Sequence, residues 1–174
     1  MSATPMKQLT TVLLAFGANL GDREATIREA QMMIANAAGV SEVKASPLRE
    51  TIAFRIDGPD PDAPKYLNGV ATLTTTLGAH ELLDLVQSVE QHHGRTREVV
   101  WGDRTLDIDI IVFGGKAIAD ERLRVPHPRA HERDFVLSPW NDLDPHAVLM
   151  GHGRVKDLLE AVGDTTTAYD GASA

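Results

Sequence analysis

The segment Thr105-Leu-Asp-Ile-Asp-Ile-Ile-Val-Phe113 limits what this chain can fold into more than any other. From Thr105 onward polar and apolar residues alternate, which is the period of a strand with two unlike faces. Thr105, Asp107 and Asp109 share one face, and Leu106, Ile108 and Ile110 share the other. The strand therefore belongs to a sheet with core on one side. Its other side carries two carboxylates whose Cα atoms are roughly 6.5 Å apart. Like charges at that spacing repel unless a cation sits between or above them. Mg²⁺ suits the place, because it binds through one or two carboxylates and fills its remaining positions with water and substrate phosphates. A merely solvated acidic face is the plainer alternative. Against it, Trp101, Gly102 and Arg104 put an aromatic ring, a hinge and a phosphate-capable cation just upstream.

The rest of the chain supplies the partners of that strand. Leu9 to Phe16 predicts a buried first strand, closed by a turn over Gly17–Gly21. That turn lacks the G-x-x-x-x-G-K-[ST] pattern of a phosphate loop. Asp22 predicts an N-cap for a helix reaching about Ala38, with Ile27, Ala30, Met33, Ile34 and Ala37 as its apolar face and Gly39 as its C-cap. Residues 41–56 form a weaker extended stretch, and the three prolines of Asp57–Pro64 predict a loop. Tyr66 to Leu77 is β-branched and alternating, a third strand. Ala79 to about Gly94 predicts a helix whose stripe is Leu82, Leu83, Leu85, Val86 and Val89; Glu90 lies beside that stripe and needs a partner if buried. Arg95–Gly102 is a connector. The order β-α-β, β-α-β predicts an α+β fold, a ferredoxin-like βαββαβ sandwich with an antiparallel sheet and both helices on one face. C-terminal additions follow: a short strand at 117–119, a corner at Val125–Pro128, a helical turn at 129–133 and a short helix at 154–162. One domain over residues 1–174 is expected, with flexible ends at 1–8 and 163–174.

Charge and composition narrow the functional classes. A net charge of −8 argues against a nucleic-acid binder, and no apolar run reaches the length of a bilayer span. The absence of cysteine excludes thiolate metal sites and agrees with a reducing cytoplasm. The charge is uneven, however. Residues 95–133 hold eight of the 17 Lys and Arg but seven of the 25 acids, a balance of +1 against −9 elsewhere. A basic segment wrapped around an acidic pair suits a small polyanion bound through a metal. Its cations include Arg95, Arg97, Arg104, Arg122 and Arg133, whose planar guanidinium groups match phosphate. His127 is fixed between two prolines. Tyr66, Phe54, Phe135, Trp101 and Trp140 are candidates for an aromatic slot, and Asn68 has the amide donors and acceptors to read the edge of a pterin or purine.

Six stretches in order and spacing resemble the 6-hydroxymethyl-7,8-dihydropterin pyrophosphokinase family of folate synthesis. They are Phe16–Leu20, Tyr66–Asn68, Glu90 with Gly94–Arg97, Trp101–Asp109, Val125–His127, and Arg133 with Phe135; the likeness runs from about Leu13 to Leu143. The resemblance implies transfer of the terminal diphosphate of ATP to the pterin hydroxymethyl group, releasing AMP. It implies two Mg²⁺ ions on Asp107 and Asp109, and Arg95 and Arg97 on a mobile loop closing over the nucleotide. Gln87, Glu90, Trp101, Arg104, Ile110, Arg122, His127 and Arg133 match ATP-binding positions. Thr51, Tyr66, Asn68 and Phe135 match the pterin pocket. The partners implied are these two small molecules, on a monomer in the cytoplasm. Departures from the family pattern are Ala18, the run Ile52–Arg55 with its long proline-rich sequel, Asp103, Arg124 and Pro128. Another two-metal nucleotidyl transferase or phosphodiesterase, or a non-catalytic small-molecule sensor, remains the alternative at this stage.

Overall fold

The computed structural model describes residues 7–55, 58–63, 65–94 and 106–171. Strand β1 (Thr10–Ala18) is apolar on both faces and so belongs inside a sheet covered on both sides. It runs two residues further than the sequence suggests, taking Gly17 and Ala18 out of the turn. Helix α1 (Arg23–Ala35) starts where Asp22 accepts the Ala25 amide at 3.1 Å, and it is shorter than expected. The next extended stretch divides into β2 (Val40–Ala45), β3 (Arg49–Thr51) and β4 (Ala53–Arg55). The proline-rich loop carries a short strand, β5 (Gly58–Asp60), paired with β4 in a hairpin. Then come β6 (Tyr66–Thr75), α2 (Ala79–His92) and the acidic strand β7 (Asp107–Phe113).

The principal sheet is antiparallel, in the order β3-β6-β1-β7, with β2 also pairing β6. β6 accommodates both β2 and β3 because the chain crosses from one to the other at Ser46–Leu48. The Ser46 amide donates to the Val70 carbonyl there at 2.8 Å, and the Ser46 hydroxyl accepts the Val70 amide at 2.9 Å. Two cores follow from the strand alternation. Val12, Leu14 and Phe16 of β1, Leu67 and Leu73 of β6, and Ile108 and Ile110 of β7 pack with Ile27 and Ile34 of α1 and Leu82, Val86 and Val89 of α2. Leu13, Val70 and Ile111 point the other way.

That second face is covered by elements the sequence reading left short. After β8 (Ile118–Ala119), β9 (Arg124–Val125) and a 3₁₀ turn (Ala130–Glu132) comes a ten-residue helix, α3 (Asp134–Leu143). Its Val136, Leu137 and Trp140 fill the second core, so Trp140 is a packing residue with 5% exposure. An internal Pro139 hides α3 from a sequence reading based on helix formers. A β10–β11 hairpin (Val148–Leu149 and Gly153–Arg154) and α4 (Val155–Val162) complete the layer. The tail does not fray at Gly163. Thr167–Ala168 forms β12, which extends the sheet beside β3, and Tyr169 packs against the first core. Among the described residues no helix is long and apolar enough to cross a membrane.

Candidate functional site

Strand register brings the candidate residues together. Gly17 of β1 is the Cα partner of Asn68 on β6 and of Asp107 on β7. One row across three strands therefore reads Asn68–Gly17–Asp107. The next reads Val70–Ala15–Asp109. Opposed residues present their side chains to the same face, here the one shared with α3 and α4. The flanking strands lie two strand spacings apart, so about 10 Å separates the Asn68 backbone from that of Asp107. Between them stand only Gly17 and Ala15. The missing side chain at Gly17 makes a trough: a Cβ there would come within 3.3 Å of the Asn68 Oδ1. The sequence reading assigned Gly17 to a turn and so overlooked it. The signal was present, since a small residue next to an apolar run can be a strand floor as well as a turn.

Each wall of the trough is held in place. Asn68 is 5% exposed, and its Nδ2 donates to Thr51 Oγ1 at 2.9 Å across β3 and β6. Thr51 is in turn the register partner of Tyr66. On the opposite wall Asp107 and Asp109 are both half-buried. Arg133, at the entrance to α3, places its guanidinium 3.7 Å from the Asp109 carboxylate and 5.5 Å from the Phe135 ring centroid. That cation thus links the acidic wall to the first turn of α3, where Phe135 stands half-buried at the edge of the second core.

His127 closes this group. Its backbone amide donates to Ile111 on β7 at 2.8 Å, which docks the 125–128 corner against the acidic strand. Burial, and then the charges of Arg133 and Arg129, depress the His127 pKa to about 4; Asp107 opposes them. The ring is neutral near pH 7. Its Nδ1 accepts the Arg129 amide at 3.2 Å, which leaves the proton of the neutral ring on Nε2 as a donor.

The other predicted residues are placed less centrally. Glu90 is 3% exposed on α2, and its Oε2 accepts the Ile108 amide at 3.1 Å, the partner its burial demands. The Ile110 side chain lies in the first core, on the face away from the trough. Arg122 is exposed and turned toward α2, where Asp84 accepts from it at 2.6 Å and Gln87 at 3.4 Å. Arg95, Arg97, Trp101 and Arg104 lie outside the described residues, as does the side chain of Phe54. A cavity of about 460 Å³ at the start of α1, lined by Asn19, Leu20, Gly21, Arg23, Glu50 and Lys65, includes neither aspartate.

The donor set fits a hard cation. Two carboxylates on one strand face supply oxygen ligands, and among the described residues no group of three or more His, Cys, Asp and Glu could hold a metal. A cation held by these two carboxylates has positions left for water and ligand oxygens, which is how Mg²⁺ is held alongside phosphates.

The profile of the 7,8-dihydro-6-hydroxymethylpterin-pyrophosphokinase (HPPK) family matches residues 13–145. The 2-amino-4-hydroxy-6-hydroxymethyldihydropteridine pyrophosphokinase of Bacillus subtilis is 43% identical over 130 residues, 75% of each chain. That of Pseudomonas aeruginosa is 38% identical over 150 residues, 86% of this chain and 90% of the relative. Among solved structures, a Plasmodium falciparum HPPK-DHPS with pteroate superposes with a TM-score of 0.68 at 13% identity. The match takes in 91% of this chain and 43% of that one, a likeness of fold.

Proposed function

The chain belongs to the 7,8-dihydro-6-hydroxymethylpterin-pyrophosphokinase family, and from that premise we propose that the trough floored by Gly17 is where its two substrates meet. The protein is an ATP-dependent diphosphokinase of folate biosynthesis: it transfers the diphosphate of ATP to 6-hydroxymethyl-7,8-dihydropterin and releases AMP.

The observation that carries the site assignment is the row Asn68–Gly17–Asp107. It sets an amide that can read a heterocycle edge opposite a carboxylate pair that can hold a metal–phosphate complex. The pterin lies on the β3–β6 side. Asn68, kept in one orientation by its bond to Thr51, addresses the ring edge, and Tyr66 and Phe135 supply aromatic surface. ATP lies on the β7 side. Asp107 and Asp109 hold two Mg²⁺ ions, whose contribution is to neutralise phosphate charge and fix the phosphate oxygens. Arg133 approaches the same phosphates from α3, and neutral His127 donates from Nε2. Arg95, Arg97 and Arg104 add positive charge, Trp101 packs on the nucleotide side, and Gln87 and Arg122 border the nucleotide. A neutral His127 donates a hydrogen bond to a phosphate oxygen without competing with the metal for the carboxylates.

No covalent intermediate is required. The substrate hydroxyl attacks the β-phosphorus in line, the bond from that phosphorus to the α–β bridging oxygen breaks so that AMP leaves with that oxygen, the hydroxyl proton passes to water, and the arginines absorb the developing charge. The site aligns the two substrates across the trough, and Gly17 keeps the path between them open. We place this chemistry on a single domain with a ferredoxin-like core, working as a cytoplasmic monomer. The sheet order β3-β6-β1-β7, with α1 and α2 on one face, supports that description of the fold.

Incubation of the purified protein with MgATP and the pterin alcohol tests the reading. AMP and pterin diphosphate should appear in equal amounts. AMP without pterin diphosphate, or ADP in place of AMP, would contradict it.

A further inference from the structure

Helix α2 carries an apolar stripe of Leu82, Val86 and Val89 against the sheet, and Glu90 is buried with it at 3% exposure. A carboxyl group there loses its hydration and must be compensated, whereas a leucine would simply extend the core. Part of that compensation is the backbone amide of Ile108, which donates to Glu90 Oε2 at 3.1 Å. Ile108 is the residue between Asp107 and Asp109. Its side chain packs in the first core at 4% exposure, and its amide is bound to α2. Among the described residues β7 ends the order of the principal sheet, with β1 beside it. Among those residues no second strand pairs its outer edge to fix the rotation of its peptide planes, and the bond from the Ile108 amide to Glu90 acts there.

We propose that Glu90 is a positioning residue for the aspartate pair: its bond to the Ile108 amide sets the rotation of β7 so that Asp107 and Asp109 face the trough together. The Ile108 amide lies between the two aspartate Cα atoms, so a turn of that peptide plane moves both carboxylates. Supporting partners of this kind orient metal-holding side chains without touching the metal. The role differs from contact with the nucleotide, which the family resemblance assigns to this position. The proposal rests on the reading of Asp107 and Asp109 as the metal-holding pair.

The test compares wild type, Glu90→Leu, Glu90→Gln, Asp107→Ala and Asp109→Ala in the full chain. Mn²⁺ affinity is measured with a nonhydrolysable ATP analogue, and amide exchange at Ile108 in the metal-free protein. Glu90→Leu should hold its melting temperature, weaken Mn²⁺ roughly 10-fold, and speed Ile108 exchange. Glu90→Gln keeps a carbonyl acceptor and should recover more than half of the lost affinity. Wild-type Mn²⁺ affinity in Glu90→Leu overturns the proposal, as does a loss confined to KM for ATP or a Glu90→Gln no better than Glu90→Leu. If Glu90→Leu does not fold, an ester in place of the Ile108 amide removes the donor alone; unchanged Mn²⁺ affinity then overturns the proposal and a comparable loss upholds it. Undiminished Mn²⁺ affinity in Asp107→Ala and Asp109→Ala overturns the metal reading itself, whatever Glu90 does.

Discussion

Asp107 and Asp109 are half-buried on one strand face, with the Arg133 guanidinium 3.7 Å from the Asp109 carboxylate, and their effect on folding separates from their effect on rate. Replacing either with alanine leaves the core side chains of β7 in place, so the protein should fold normally and melt within a few degrees of the wild-type temperature. Turnover should fall more than about 10³-fold, as when a charge clamp is removed from a phosphoryl transfer. A loss below tenfold in a folded variant contradicts the assignment. His127 gives a prediction in pH. Its folded pKa of about 4 lies below the ordinary histidine value of about 6.5. The stabilisation this represents is complete above pH 6.5 and is lost as pH falls toward 4, because the unfolded chain takes up a proton that the native ring refuses. The ring is only half-buried, so screening reduces the contribution to about 1–2 kcal/mol. His127→Asn should therefore melt with a flatter pH dependence between pH 7 and 5, by roughly 2–4 °C. Superimposable Tm–pH curves would refute that account.

The strands show how far a sequence reaches toward a site. Alternation alone placed Asp107 and Asp109 on one face and Ile108 and Ile110 on the other, and the two cores bear out that division. The buried Glu90 was foreseen to need a partner, but not that the partner is a backbone amide, which no residue pattern encodes. Register was equally hidden. That Gly17 separates Asn68 from Asp107 follows from pairings between strands some 50 and 90 residues apart in the chain. Helix α3 was missed because Pro139 sits in its interior and outweighed the helical spacing of Val136, Leu137 and Trp140, which share one face. At Gly69 the element makes its own demand. An added Cβ would stand 2.6 Å from Leu48 Cδ2, where the chain passes from β2 to β3 and Leu48 is 2% exposed. Gly69→Ala should destabilise by about 1–3 kcal/mol through overpacking, lowering Tm by roughly 3–10 °C. An unchanged Tm would mean that Leu48 shifts at no cost.

Across the whole molecule the sheet sets the two walls of the trough apart, the aspartates on β7 at one edge and Thr51 and Asn68 on β3 and β6 toward the other, where the pterin is proposed to lie. Among the described residues the C-terminal tail bonds to β3, α1 and α3. β12 pairs with β3, the Tyr169 amide donates to Leu48 at 3.1 Å, and the Tyr169 hydroxyl donates to Glu24 of α1 at 3.2 Å. On the other face Thr166 accepts from Arg49 at 3.3 Å, and Ser138 of α3 donates to Asp164 at 2.7 Å. Burial alone would raise the Asp164 pKa, yet its bonds from Thr166 and Ser138 hold it below the usual carboxylate range. The tail thus fastens α1, β3 and α3 to one another beside Thr51. A chain ending at Val162 should lose about 2–4 kcal/mol from these bonds and the uncovered edge, a drop of roughly 5–12 °C in Tm. Because β7 is three strands away, the kinetic damage should be one-sided: KM for the pterin should rise several-fold more than KM for ATP. Equal changes in both constants would show that the tail supports the fold as a whole and has no special hold on the pterin wall.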